Sequence, residues 1–201
     1  MKREALGGIL AGLAIIAGAG IFANTAVEAL VASPEAAGAD TAPAAVAPEL
    51  MPSLPVRIQI PAIGVDTHIE HVGVNKQGNM RAPSKYADAA WYQDGTVPGQ
   101  QGSAVIAGHL DNGLGFAGVF RRLSHIPVGA DIYIETASSS RLHFIVEATS
   151  TYPYKSVPTD LIFNRADTER LNLITCDGAF LPLGRTYDHR LVVYATLAPN
   201  P

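Results

Sequence analysis

Leu171-Asn172-Leu173-Ile174-Thr175-Cys176-Asp177-Gly178 contains the single cysteine of the chain. An apolar strand over Leu171–Thr175 delivers the thiol at its end, and Asp177-Gly178 is expected to turn the chain immediately afterwards. A thiol beside a turn can meet a substrate, whereas one in mid-strand is expected to be buried. Reaction requires the thiolate, which a neighbouring cation or imidazole favours. The competing reading makes Cys176 a small buried hydrophobe. With one cysteine an internal disulfide is excluded.

On either side of this run the sequence is punctuated in the same way. Strands are expected at Arg57–Ile60, Thr67–Val74, Ser103–His109, Asp131–Glu135, Leu142–Ala148, Leu171–Thr175 and Leu191–Thr196. Lys76-Gln77-Gly78-Asn79, Val97-Pro98-Gly99 and Pro127-Val128-Gly129 supply turns between them. Short helical pieces are expected at Phe116–Leu123 and around Pro158–Phe163. Many short strands with little helix imply an all-β fold with short helices, a closed or nearly closed β-barrel. There is no internal repeat.

Two further residues stand at similar positions. Val105-Ile106-Ala107-Gly108-His109 is an apolar strand ending in Gly and then a histidine, the natural proton carrier near neutral pH. In Tyr187-Asp188-His189-Arg190-Leu191-Val192-Val193-Tyr194 an arginine opens a strongly apolar strand. Its charge needs a role or a partner there, and a surface ion pair with Asp188 or another acid is the plainer possibility. His68 and His71 fall three apart on an expected strand, which sends them to opposite faces and argues against a shared metal. No acidic cluster has calcium-ligand spacing, so no metal or other cofactor is expected.

Hydrophobic residues make up 48% of the chain, and the excess over what a solvent-exposed domain needs sits at the N-terminus. Lys2 and Arg3 precede Ala5–Ala23, about nineteen apolar or small residues, which as a helix span roughly 28 Å, close to a bilayer core. The basic flank should stay in the cytoplasm and the rest of the chain outside. Residues 1–30 are therefore expected to be a single-pass membrane anchor, with a cleaved signal segment as the alternative. Residues 31–55 are rich in Ala and Pro and are expected to form a tether; an ordered arm packed on the domain is the alternative. Residues 56–201 are expected to form the folded domain. A net charge of −4 without a basic patch makes nucleic acid an unsuitable partner.

Together, His109, the Asn172-Leu173-Ile174-Thr175-Cys176 strand and Arg190 resemble the sortase family. Its members carry a strand-end His, a Thr-Leu-x-Thr-Cys strand and an Arg at the start of the next strand, in this order. The approach to the histidine, with Trp91, Pro98-Gly99, Gly102 and Ile106-Ala107-Gly108-His109, is similar too. Asn172 departs from the family's threonine. The Thr175-Cys176-Asp177-Gly178 run and the compact domain look like the smaller class D, E or F-type enzymes.

The resemblance implies an eight-stranded β-barrel and acyl transfer. Secreted proteins with a C-terminal Leu-Pro-x-Thr-Gly-like sorting motif would be cut after the threonine. The thioester would pass to an amine acceptor, a cell-wall precursor or a pilin lysine. Cys176 would then be the nucleophile, His109 the acid/base and Arg190 the oxyanion stabiliser, with Thr175 contributing a nearby hydroxyl or backbone donor. Abundant Ala, Gly, Pro and Val fit a Gram-positive source. Papain-like enzymes place Cys before His, opposite to this chain. L,D-transpeptidases have a Gly directly before the nucleophile, where this chain has Thr175. A non-catalytic β-barrel binding module is the remaining rival, and the coincidence of three reactive residues at expected strand ends argues against it.

Overall fold

The computed structural model describes residues 53–112 and 115–199. The expected anchor (1–30) and all but the last residues of the expected tether (31–55) lie outside the described residues. Among the described residues, the strands in chain order are β1 (Pro55–Ile60), β2 (Val65–Val72), β3 (Ala89–Tyr92), β4 (Gly102–Gly108), β5 (Asp131–Thr136), β6 (Arg141–Pro153), β7 (Glu169–Leu181) and β8 (Thr186–Leu197). One short helix, α1 (Thr159–Phe163), lies between β6 and β7.

Alternation decides which side chains enter the core. Ile58 and Ile60 of β1, Ile132 and Ile134 of β5, and Leu171 and Leu173 of β7 are fully buried, while Arg57 and Asp131 stay exposed. Each such side chain contributes about 1.5–3 kcal/mol on burial. The sheet closes in the order β1-β2-β3-β4-β7-β8-β6-β5, with β5 returning to β1. Two pairs are parallel, β2 with β3 and β4 with β7; the others are antiparallel. Closure leaves no open edge to pair with another chain. The closed eight-stranded barrel expected from the resemblance is the fold observed.

Strand parity also defines the outer face on which the site sits. Leu171, Leu173, Leu191 and Val193 pack into the barrel core, so Asn172, Ile174, Cys176, Arg190 and Val192 face outward. The helix α1 lies over this outer face. Its Ile162 is fully buried and forms a second, smaller cluster with Val105 and Val192.

Several expectations from the sequence are corrected. β7 does not end before Cys176; it continues to Leu181, and Asp177-Gly178 forms a register shift within the β7–β8 pair instead of a turn. Gly178 takes φ 80° there, which a side chain would strain. Cys176 is half-buried despite its mid-strand place, because it faces outward. Arg190 likewise lies inside β8, not at its start.

Phe116–Leu123 is not helical. It makes turns that lead into a 3-10 segment at Leu123–His125. Gly118 packs against the backbone of His109 so closely that a Cβ would overlap the His109 carbonyl oxygen. β3, four residues long and almost entirely buried, was not expected; Ala89-Ala90-Trp91-Tyr92 shows no alternation to announce it. β6 runs five residues beyond the expected Ala148, to Pro153.

Candidate active site

Cys176 and Arg190 are direct partners in the antiparallel β7–β8 ladder. The Arg190 guanidinium is held by oxygens of its own strand: Nη1 donates to the carbonyls of Tyr187 (3.0 Å) and His189 (2.8 Å), and Nη2 donates to Thr186 Oγ1 (2.8 Å). Asp188 pairs instead with His189, at 2.7 Å. The guanidinium is thus fixed on the strand next to the one that carries the thiol. Burial pushes the Cys176 thiol above its ordinary range, Arg190 pulls it back down, and the Asp111 carboxylate adds to the rise.

His109 follows the last residue of β4. The parallel β4–β7 pairing, which runs to Ala107 opposite Ile174, brings this strand end beside Thr175 and Cys176. Thr175 is buried, and its hydroxyl donates to the Gly108 carbonyl at 2.8 Å. That bond ties β7 to the residue just before His109.

The imidazole has a defined setting. His109 Nε2 lies 3.0 Å from the Pro83 carbonyl oxygen. A carbonyl only accepts, so Nε2 carries the proton, and in the neutral ring Nδ1 keeps the lone pair. The Tyr86 ring packs on the imidazole at 4.7 Å between centroids. The Pro83 segment is itself clamped by Glu70 of β2, whose carboxylate accepts from Ser84 N (2.9 and 3.0 Å), Ser84 Oγ (2.9 Å) and Lys85 N (3.2 Å). Burial pushes the Glu70 carboxyl up, but these donors outweigh it and hold the group below its ordinary range.

A second brace joins the segment after His109 to the β7–β8 hairpin. The Tyr187 hydroxyl donates to Asp111 Oδ2 at 2.6 Å, and Arg121 approaches the same oxygen at 3.4 Å. The bond to Asp111, with burial, pushes the Tyr187 phenol up to about 12.

One cleft, with an empty volume of about 650 Å³, is lined by His109, Cys176 and Arg190 together. Met80, Ala82, Pro83 and Phe163 of α1 supply apolar walls, and Arg81 also lines the cleft. A nucleophile, a proton carrier and a charged donor facing one cleft form a set able to carry acyl transfer through a covalent thioester. Among the described residues, no three His, Cys, Asp or Glu side chains are grouped closely enough to hold a metal ion. His71 bonds to the Pro55 carbonyl at 2.7 Å and packs edge-on against Trp91.

Sequence reasoning found the residues with reactive groups and missed those that hold them. Glu70, Pro83, Tyr86 and Tyr187 carry no local pattern, because their partners lie far along the chain. Asp111, two residues after His109, is the one whose spacing could have marked it.

Comparison with known proteins agrees with the barrel fold. The sortase-domain family model matches residues 58–198. Among solved structures, sortase A of Corynebacterium diphtheriae (a lid mutant) is similar, with 22% identity, 77% of this chain and 75% of that chain covered, and a TM-score of 0.58. Sortase A of Listeria monocytogenes shares 21% identity over 73% of this chain and 88% of that chain, with a TM-score of 0.56. A sortase D5 transpeptidase of Clostridium perfringens shares 23% identity over 72% of this chain and 79% of that chain, with a TM-score of 0.54. At these identities the structural likeness speaks for the fold. No curated protein matches by sequence. With the family model covering nearly the whole barrel, the chain belongs to the sortase family.

Proposed function

We propose that this protein is a cysteine transpeptidase. It cleaves a Leu-Pro-x-Thr-Gly-like sorting motif on secreted proteins and joins the new carboxyl to an amine of the cell wall or of a pilin. The observation that carries the reading is the placing of Cys176 opposite Arg190, in the cleft that His109 also lines. Family membership supports transpeptidation as the reaction type.

In the proposed reaction the Cys176 thiol gives its proton to His109 Nδ1, and the resulting thiolate attacks the scissile carbonyl carbon, forming a C–S bond. The carbonyl oxygen takes up the negative charge, and Arg190 donates to it. As the C–N bond breaks, the leaving amine takes a proton from His109, leaving a thioester. An incoming amine then attacks the thioester, loses its proton to His109 and expels Cys176. With Nε2 engaged by Pro83, Nδ1 is the nitrogen that exchanges protons. Thr175 acts through Gly108, fixing the strand end that carries His109.

The enzyme acts outside a Gram-positive cell, held to the membrane by residues 1–30 through the tether 31–55. Its short catalytic domain fits the smaller class D, E or F-like enzymes. N-terminal sequencing of membrane-extracted protein tests the anchor: residues before Ala23 should be retained, and a mature start near Ala26–Ala36 would make the enzyme secreted. Screening a peptide library with the full chain tests the reaction. Cleavage of sorting-motif peptides that is lost in Cys176→Ala is expected, whereas cleavage retained by that variant would remove the nucleophile assignment.

A further inference from the structure

Asn172 occupies the position where the resemblance places a threonine, and its side chain is fully buried. Its Nδ2 donates to the carbonyl of Ile162 in α1 at 2.6 Å, while its Oδ1 finds no partner among the described residues. A half-satisfied buried amide is a poor choice for stability alone, since an apolar side chain of similar size leaves no polar atom unpaired. The directional bond to α1 is what an apolar residue cannot supply.

That bond matters because it adds a directional tie to the apolar contacts that seat α1. A five-residue helix cannot persist by itself in water, and the residue at its N-cap, Pro158, offers no side-chain cap. Its position depends on Ile162, seated against Val105 and Val192, and on the Asn172 amide. Next to Ile162 stands Phe163, whose ring meets Tyr92 edge-on at 5.7 Å. Phe163 and Met80 line both the candidate active-site cleft and a second hollow beyond it, so the two side chains stand at the pinch between them.

We infer that Asn172 is a positioning residue for substrate selection: by tying α1 to β7 it sets the gap between Phe163 and Met80 through which the peptide is recognised. The inference rests on the proposed peptide cleavage, but the tie can be read without it. Asn172 stands on the same face of β7 as Cys176, four residues earlier, so loosening α1 alters the wall of the cleft without touching the thiol.

The test uses the full chain and two variants, Asn172→Leu, which removes the donor, and Asn172→Asp, whose carboxyl can donate to Ile162 only when protonated. Each is measured for peptide turnover, for Cys176 alkylation by iodoacetamide and for hydrogen exchange over residues 158–164. Asn172→Leu should raise KM about tenfold, the scale of one lost hydrogen bond, with kcat and alkylation within about twofold of wild type. Exchange in α1 should speed up by a similar factor. Asn172→Asp should show the same loss at neutral pH and recover toward wild type, measured as a ratio at each pH, as the medium is acidified. Unchanged exchange in α1 for both variants would overturn the inference, as would a loss confined to kcat with KM unchanged. If wild type cleaves no peptide, the proposed function fails separately, and the exchange data alone decide whether Asn172 holds α1.

Discussion

Arg190 stands directly across the β7–β8 ladder from Cys176, both facing outward from the barrel. Three oxygens of its own strand fix the guanidinium in place. A planar fork anchored on one side presents its remaining donors in a fixed direction, which a mobile ammonium cannot do. Arg190→Lys should therefore lower kcat/KM roughly 10²-fold, the scale of losing one oxyanion donor. Steady-state kinetics check this; a near-wild-type lysine variant would reduce Arg190 to a source of general positive charge.

The thiol sits between two opposed charges. Burial raises its pKa, Arg190 lowers it and Asp111 raises it further. Removing the carboxylate in Asp111→Asn should increase the thiolate fraction and speed iodoacetamide alkylation near pH 7 several-fold; Arg190→Met should slow it. A pH series of alkylation rates gives the sign directly. Opposite shifts in the two variants are expected, and shifts of the same sign would contradict this electrostatic account.

Glu70 reaches His109 through three links: its carboxylate holds Ser84 and Lys85, and the adjacent Pro83 carbonyl holds the imidazole. Glu70→Ala should free that segment and lower kcat by roughly 10- to 100-fold through misplacement of the ring. The histidine Nε2–H signal in NMR should broaden or vanish with it. The folded-state pKa of Glu70 is depressed, so its stabilising contribution is complete above the unfolded carboxyl value, about 4.3, and disappears as pH falls through the folded value. Wild type and Glu70→Gln should thus differ in melting temperature near neutral pH and converge once the pH falls below the folded-state value.

Thr175 makes a bond inside the barrel wall that its apolar isostere cannot. Thr175→Val should leave the Gly108 carbonyl without the hydroxyl and cost about 1–3 kcal/mol in chemical denaturation. Activity should drop along with stability, since the same bond fixes the strand end before His109. A variant as stable as wild type would show that the hydroxyl is dispensable.

How far the fold was legible follows from particular residues. Ile132-Tyr133-Ile134 alternates and was legible; Ala89–Tyr92 is buried nearly throughout and gives no period to read. Asp177-Gly178 has the composition of a turn, yet the long pairing of β7 with β8 absorbs it as an irregularity, which no local pattern reveals. Phe116–Leu123 has helical composition, but the close approach of Gly118 to His109 fixes a turn there. His109, Cys176 and Arg190 were identifiable because each adjoins an apolar strand and carries a reactive group. Their supports were not, because Glu70 to Ser84 and Asp111 to Tyr187 are contacts made by the closed barrel.

In the proposed reaction Cys176 carries the acyl group to an amine. Water is present at about 55 M, so a millimolar amine competes only if the site holds it on a productive path; effective molarities of ~10⁵ M are attainable for held reactants. Intact-mass spectrometry of the full chain with a cleavable sorting-motif peptide reads this directly. Without amine, an acyl adduct on Cys176 should accumulate and hydrolysis should be slow. With a glycine- or diaminopimelate-type amine, the adduct should disappear, turnover should rise and a ligated product should form, all of it absent in Cys176→Ala. Rapid hydrolysis with no adduct and no ligated product across a broad panel of amines would contradict the account and leave a cysteine endopeptidase on the same barrel.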